Sequence, residues 1–149
     1  MVELKPLIIL LVEDDPADQK LIKTSLKDQK IANDLYMVNS GEEGLDFLHH
    51  RGDYSKENPR PDLILLDLNM PGMGGKEFLK LIKNDGDLKQ IPVVILTTSD
   101  SEQDIFDSYN LQASGYVRKP VSLEDFKEIM GKIEEYWFLI CKRPPKESW

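Results

Sequence analysis

Short apolar runs alternate with amphipathic segments along the chain. Five of the runs have the length and composition of β-strands; they are Leu7–Val12, Leu35–Val38, Leu63–Leu66, Val93–Leu96 and Tyr116–Val117. After each run, apolar residues recur every three or four positions, which is typical of a helix with one buried face. This strict alternation favours an α/β fold, in which a parallel sheet carries helices on both faces.

Capping residues indicate where three of the predicted helices begin. Asp15 is followed by a proline, an arrangement typical of a helix N-cap and first turn. Ser40 with Glu43 has the spacing of a capping box. Ser122 begins the last helix, which the pattern extends to about Ile140.

The length of 149 residues suits one domain. We expect this domain to span residues 1–141 and residues 142–149 to form a short flexible tail, because the two prolines of the tail cannot continue a helix. The single cysteine, Cys141, has no partner for an internal disulfide, which fits a reducing cytosol. The run Leu7–Val12 is far too short to cross a bilayer, and we expect a soluble cytoplasmic protein that does not bind membranes.

The formal net charge of −8 disfavours direct binding of nucleic acid, because an acidic chain repels the phosphate backbone. Most acidic side chains of such a chain are solvated surface. The acidic residues that follow predicted strands need another explanation, because a carboxylate next to a buried strand is costly unless it has a partner.

Polar side chains follow four of the five predicted strands. Glu13 and Asp14 follow the first strand, Asp67 the third, Thr97 the fourth and Lys119 the fifth. Ligands of open parallel sheets bind beyond the carboxyl ends of the strands. We therefore expect these five side chains to converge at one edge of the sheet.

Such a cluster suits phosphoryl chemistry. Carboxylates that repel one another are stabilised by a cation, and Mg²⁺ prefers a few carboxylate ligands together with water. A carboxylate can attack phosphorus, and a lysine and a hydroxyl can then stabilise the transferred group. Each residue also has a purely structural alternative: Asp67 as a turn cap, Lys119 as a solvated strand end and Thr97 as a strand residue.

Four motifs carry a resemblance to the receiver domain of two-component response regulators. They are LLVEDDP at Leu10–Pro16, LLDLNMPGMGG at Leu65–Gly75, ILTTS at Ile95–Ser99 and SGYVRKP at Ser114–Pro120. Each motif alone is weakly specific, but all four in this order resemble the family over roughly Pro6–Ile140. The resemblance implies a flavodoxin-like, doubly wound (βα)5 fold with strand order 2-1-3-4-5.

The resemblance also implies roles for the clustered residues. Asp67 is expected to accept a phosphoryl group from a histidine kinase. The Mg²⁺ site is expected to consist of Glu13 acting through water, Asp14, Asp67 and the backbone carbonyl of Asn69. Lys119 is expected to pair with Asp67 or its phosphoryl group. Such a domain is a signalling phosphoacceptor rather than an enzyme.

Three further expectations come from the same resemblance. Thr97 is expected to be the switch hydroxyl that moves onto the phosphoryl oxygens, and Tyr116 the aromatic residue that moves with it. The Lys119–Pro120 peptide resembles a bond that is cis in this family. Gly75 resembles the glycine that lets the loop after the phosphoacceptor turn.

The predicted loop at His49–Pro61 and the aromatic end of the last helix most resemble the phytochrome-linked group of single-domain receivers. A phytochrome-type histidine kinase is then the expected partner. Signalling is expected to proceed through a change of protein contacts. The alternative is a phosphorelay shuttle that passes phosphate to a histidine phosphotransfer protein.

The last helix suggests a further contact. The sequence YWFLIC, residues 136–141, is apolar on every side, and a terminal helix of a small domain cannot bury every side. We expect a homodimer through this region; the alternative is that a neighbouring loop covers it.

Two other classes fit less well. A haloacid-dehalogenase-type phosphatase needs an acid two residues after its nucleophile, whereas Asn69 cannot supply a proton. A flavodoxin-like cofactor binder needs a phosphate-binding loop after the first strand, where Glu13 and Asp14 repel a phosphate.

Overall fold

Strands and helices alternate through residues 5–140, which are the residues described by the structure, a computed structural model. The elements are β1 Leu7–Val12, α1 Pro16–Lys27, β2 Asn33–Val38, α2 Gly41–His49, β3 Leu63–Leu66, α3 Gly75–Lys83, β4 Val93–Thr97, α4 Glu102–Asn110, β5 Gly115–Arg118 and α5 Leu123–Glu134. A π-helical turn, Glu135–Ile140, continues α5.

The five strands form one parallel sheet in the order β2-β1-β3-β4-β5, so the expected flavodoxin-like topology is confirmed. β1 lies in the interior and pairs with β2 on one side and β3 on the other. β2 begins two residues earlier than the apolar run, because Asn33 lies in register with Leu7. Ladder hydrogen bonds thus extend an edge strand through polar residues that the hydrophobic pattern does not mark.

Alternate residues of the central strands contribute to two separate cores. Leu10 and Val12 pack with α2 and α3 on one face of the sheet. Ile9 and Leu11 pack with α1 and α5 on the other face. Side chains on successive strand residues point to opposite faces. A strand buried on both faces therefore reads as a continuous apolar run, as β1, β3 and β4 do.

The predicted caps are present. Asp15 Oδ1 accepts a hydrogen bond from the Ala17 N–H at 2.9 Å. Ser40 Oγ accepts one from the Glu43 N–H, and Ser122 caps α5 in the same way. The Glu43 carboxylate does not close the expected capping box, because it accepts hydrogen bonds from the Asn39 N–H and from the Tyr54 hydroxyl.

The end of α5 is only partly covered. Phe126 and Met130 are fully buried. Further along, Trp137 and Phe138 are half-buried and the side chain of Tyr136 is 48% exposed. The predicted helix does reach Ile140, but its last turn is π-helical. The predicted tail 142–149 lies outside the described residues. None of the helices described has both the length and the apolar character needed to cross a membrane.

Candidate functional site

Backbone hydrogen bonds at the carboxyl edge of the sheet fix the segments that carry the candidate residues. The Glu13 N–H donates to Val38 O, and the Asp67 N–H donates to Val12 O, both at 3.1 Å. The Lys119 N–H donates to Thr97 O at 2.7 Å. The side chains of these three residues therefore extend from backbone positions fixed by hydrogen bonds to a neighbouring strand.

Three carboxylates meet at this edge. One oxygen each from Glu13, Asp14 and Asp67 lies within 4.8 Å of the others. Glu13 and Asp67 are buried, and Asp14 is half-buried at the rim. Together with Lys119, the cluster contains more carboxylates than ammonium groups. This set of hard oxygen atoms fits a small divalent cation such as Mg²⁺.

The pKa of Glu13 is raised mainly by burial, with a smaller contribution from neighbouring negative charge. Burial raises the pKa of this carboxyl to about 7, and the charge of Asp67 acts in the same direction. The hydrogen bond and positive charge of Lys119 oppose this shift without cancelling it. A divalent cation would supply the missing positive charge.

Lys119 is buried within these acids, with a side chain only 5% exposed. Its ammonium contacts the Glu13 carboxylate and donates a hydrogen bond to Asp18 Oδ2 at 2.8 Å. The distance from Nζ to Asp67 Oδ2 is 3.6 Å. Burial alone would lower the pKa of Lys119, but hydrogen bonds to Asp18 and Glu13 and the charge of Asp67 raise it above its ordinary value.

The pairing expected between Lys119 and Asp67 is therefore only partial in this structure. The two groups form an ion pair, but the shorter contacts of Lys119 are to Glu13 and Asp18. Asp18 was not predicted. The available signal was its position in the first turn of α1, where an acid is also explained by the helix dipole.

Within the described residues, neither carboxylate oxygen of Asp67 accepts a hydrogen bond. Lys119 Nζ lies 3.6 Å from Asp67 Oδ2, so the two groups form an ion pair without a hydrogen bond. A carboxylate that accepts no hydrogen bond keeps its lone pairs available for a metal ion or an electrophile. It lies directly after β3, at the carboxyl edge of the sheet.

Gly75 allows the chain to return beside Asp67. A Cβ atom at this position would lie 2.3 Å from Asp67 O and 2.7 Å from Leu68 Cα. The Gly75 N–H donates to Leu68 O at 3.1 Å, which closes the loop. The expected special role of Gly75 therefore has a geometric cause, the close approach of two backbone segments.

Thr97 and Tyr116 are connected through Ser99, a residue that was not predicted. The hydroxyl of Thr97, which is fully buried, accepts from the Ser99 N–H at 3.5 Å. The Tyr116 hydroxyl donates to Ser99 O at 2.8 Å. The Ser99 hydroxyl donates to Asp104 at 2.6 Å, and Asp104 forms an ion pair with Lys76 of α3.

Two remaining expectations concern the backbone. The expectation of a cis Lys119–Pro120 bond is wrong, since every peptide bond of residues 5–140 is trans. The trans isomer is the more stable one for most X-Pro bonds, and β5 continues into α5 without requiring the other. Asn69 lies two residues beyond Asp67 and is exposed, between the buried residues Leu68 and Met70, and its carbonyl stays a predicted ligand.

Comparison with known proteins supports the same class. The family model for the response regulator receiver domain matches residues 9–131. Response regulator Rcp1 from Synechocystis sp. is 44% identical over 132 residues, which cover 89% of each protein.

Two solved structures extend the similarity to the fold. The Mn²⁺-bound form of Rcp1 is 42% identical, with a TM-score of 0.85 over 94% of this chain and 100% of the other. The phosphorylated cyanobacterial phytochrome response regulator RcpA is 41% identical, with a TM-score of 0.88 over 95% of this chain and 100% of the other. The chain therefore belongs to the response regulator receiver family of two-component signalling.

Proposed function

We propose that this receiver domain carries its signal as a phosphoryl group on Asp67, taken from a histidine kinase. The observation that carries the proposal is the placement of Asp67, which accepts no hydrogen bond from the described residues and lies between two other carboxylates and a buried lysine. A relative of this chain has been crystallised with Mn²⁺ and another in a phosphorylated form. Both observations support this assignment.

The proposed transfer is a displacement at phosphorus. A carboxylate oxygen of Asp67 forms a bond to phosphorus while the bond from phosphorus to the kinase histidine nitrogen breaks, and that nitrogen keeps the electron pair. Lys119 offers positive charge to the phosphoryl oxygens, and Thr97 offers a hydroxyl donor. Movement of Thr97 would be transmitted through Ser99 to Tyr116, the proposed aromatic switch.

The metal site proposed for this step consists of Glu13 through water, Asp14, Asp67 and the Asn69 carbonyl. Bound Mg²⁺ would neutralise charge on the transferring group. Glu13 and Asp14 would hold the ion beside the nucleophile and keep it away from the apolar strands below.

The phosphorylated domain is proposed to signal through a change of partner rather than through turnover of a substrate. The similarity to Rcp1 and to RcpA favours a phytochrome-type sensor as the kinase. With such a partner, we expect the protein to act in the cytoplasm. Autodephosphorylation by water would return Asp67 to its free state.

The experiment that tests the function is intact-mass spectrometry after incubation with acetyl phosphate. With Mg²⁺ present, we expect the mass to rise by one phosphoryl group per chain. With EDTA in excess, we expect the mass to stay unchanged, because the carboxylates then repel the anionic donor. A wild-type protein that stays unmodified at saturating donor and Mg²⁺ would contradict the proposal.

We also propose a homodimer through the end of α5. Tyr136 is exposed, and together with Trp137 it borders a groove of about 280 Å³ beside β5. Sedimentation velocity at tens of micromolar is expected to show a dimer, and Tyr136→Glu is expected to shift it to monomer. A monomer before and after phosphorylation would rule the dimer out.

A further inference from the structure

Asp18 contacts the ammonium that the proposed chemistry needs. It lies in the first turn of α1, and its Oδ2 accepts the hydrogen bond from Lys119 Nζ at 2.8 Å. Its side chain is 22% exposed, so it occupies the solvent side of the lysine. Glu13 contacts the same ammonium from the buried side. Lys119 is thereby held between two carboxylates, neither of which is the proposed phosphoacceptor.

We infer that Asp18 is a positioning residue that competes with the phosphoryl group on Asp67 for Lys119, an inference that rests on the function proposed above. The ammonium lies 3.6 Å from Asp67 Oδ2, beyond hydrogen-bond distance. Asp18, together with Glu13, holds the ammonium there through shorter contacts. When Asp67 carries a phosphoryl group, its anionic oxygens and the Asp18 carboxylate attract the same positive charge.

The negative charge of Asp18 also disfavours a phosphoryl group on Asp67. Asp18 is the third carboxylate that forms an ion pair with Lys119, beside Glu13 and Asp67. Phosphodonors and the transferred phosphoryl group are anionic, and nearby negative charge disfavours them. Both effects of Asp18 therefore favour the unphosphorylated state. The residue limits how readily the domain is phosphorylated.

A purely structural role for Asp18 predicts a different result. An acid in the first turn stabilises a helix through the helix dipole. Loss of that contribution would lower the melting temperature without changing the affinity of the site for an anion. Affinity for a phosphoryl analogue therefore separates the two roles.

The test compares Asp18→Asn, Asp18→Glu and a control, Asp28→Asn. The control also removes one carboxylate and one ion pair, that of Asp28 with Lys127 at 2.9 Å. It lies at the other end of α1, about 15 Å away along the helix axis. Isothermal titration calorimetry with beryllofluoride in the presence of Mg²⁺ measures affinity for a phosphoryl analogue, and thermal melting of each variant checks the fold.

We expect Asp18→Asn to bind beryllofluoride about fivefold more tightly than the wild type, a change typical of one partly buried charge pair. We expect Asp28→Asn and Asp18→Glu to bind like the wild type, since the first leaves the site intact and the second keeps its charge. Unchanged or weaker binding by Asp18→Asn, or equal tightening by Asp18→Glu, overturns the role of Asp18. Wild-type protein that binds no beryllofluoride instead contradicts the proposed function.

Discussion

An Asp67→Asn variant is expected to take up no phosphoryl group from acetyl phosphate and Mg²⁺, whereas the wild type takes up one per chain. The amide has the shape of the carboxylate but lacks the anionic oxygen that attacks phosphorus. Among the described residues, no other carboxylate of the cluster is buried and also has both oxygens free of hydrogen bonds. The loss of phosphorylation should therefore be complete.

The same substitution should leave the fold intact. Removing one of three clustered carboxylates relieves repulsion, so we expect the free energy of unfolding to rise or to stay within about 1 kcal/mol of the wild type. The matched control is Asp100→Asn, an exposed acid after β4 that pairs with Arg118 on the surface. Intact-mass spectrometry should show full phosphorylation of this control. Uptake by Asp67→Asn equal to that of the control would reject the assignment.

Gly75→Ala is expected to destabilise the fold by about 3 kcal/mol, at the upper end of overpacking effects. The added methyl group would lie 2.3 Å from Asp67 O and 2.7 Å from Leu68 Cα. Both neighbours are backbone atoms, so no side-chain rotamer change can relieve the clash. Either the start of α3 or the segment that carries Asp67 must move. We therefore expect slower phosphorylation as well as lower stability.

The neighbouring glycine provides the control. A Cβ atom at Gly74 would meet only Leu68 O at 3.6 Å, which is an ordinary contact. Gly74 has φ −71° and ψ 167°, a conformation open to alanine. Urea denaturation should place Gly74→Ala within about 1 kcal/mol of the wild type. Equal stabilities for the two variants would show that the close approach at Gly75 is not rigid.

The sheet was predictable because its strands are buried on both faces. β1, β3 and β4 therefore appear as continuous apolar runs, and alternation with helices leaves few topologies. The convergence of Glu13, Asp67 and Lys119 followed from the same reasoning, since each comes directly after a strand of one parallel sheet. The order of the strands came from the family resemblance.

Several contacts were not predictable because they depend on side-chain direction or on local backbone geometry. Spacing alone does not show that Asp18 turns back from α1 to Lys119, or that Ser99 connects Thr97 to Tyr116. The π-helical end of α5 also has no periodicity signal distinct from that of an α-helix. These features appear only once the elements are packed.

The central claim is that residue 67 itself carries the phosphoryl group, and chemical trapping tests it most directly. Borohydride reduces an aspartyl phosphate to homoserine, and peptide mass spectrometry then locates the altered residue. After phosphorylation with acetyl phosphate and Mg²⁺, we predict homoserine at position 67 and at no other aspartate. Reduction at another aspartate, or none in a protein whose mass has risen by a phosphoryl group, would contradict the account.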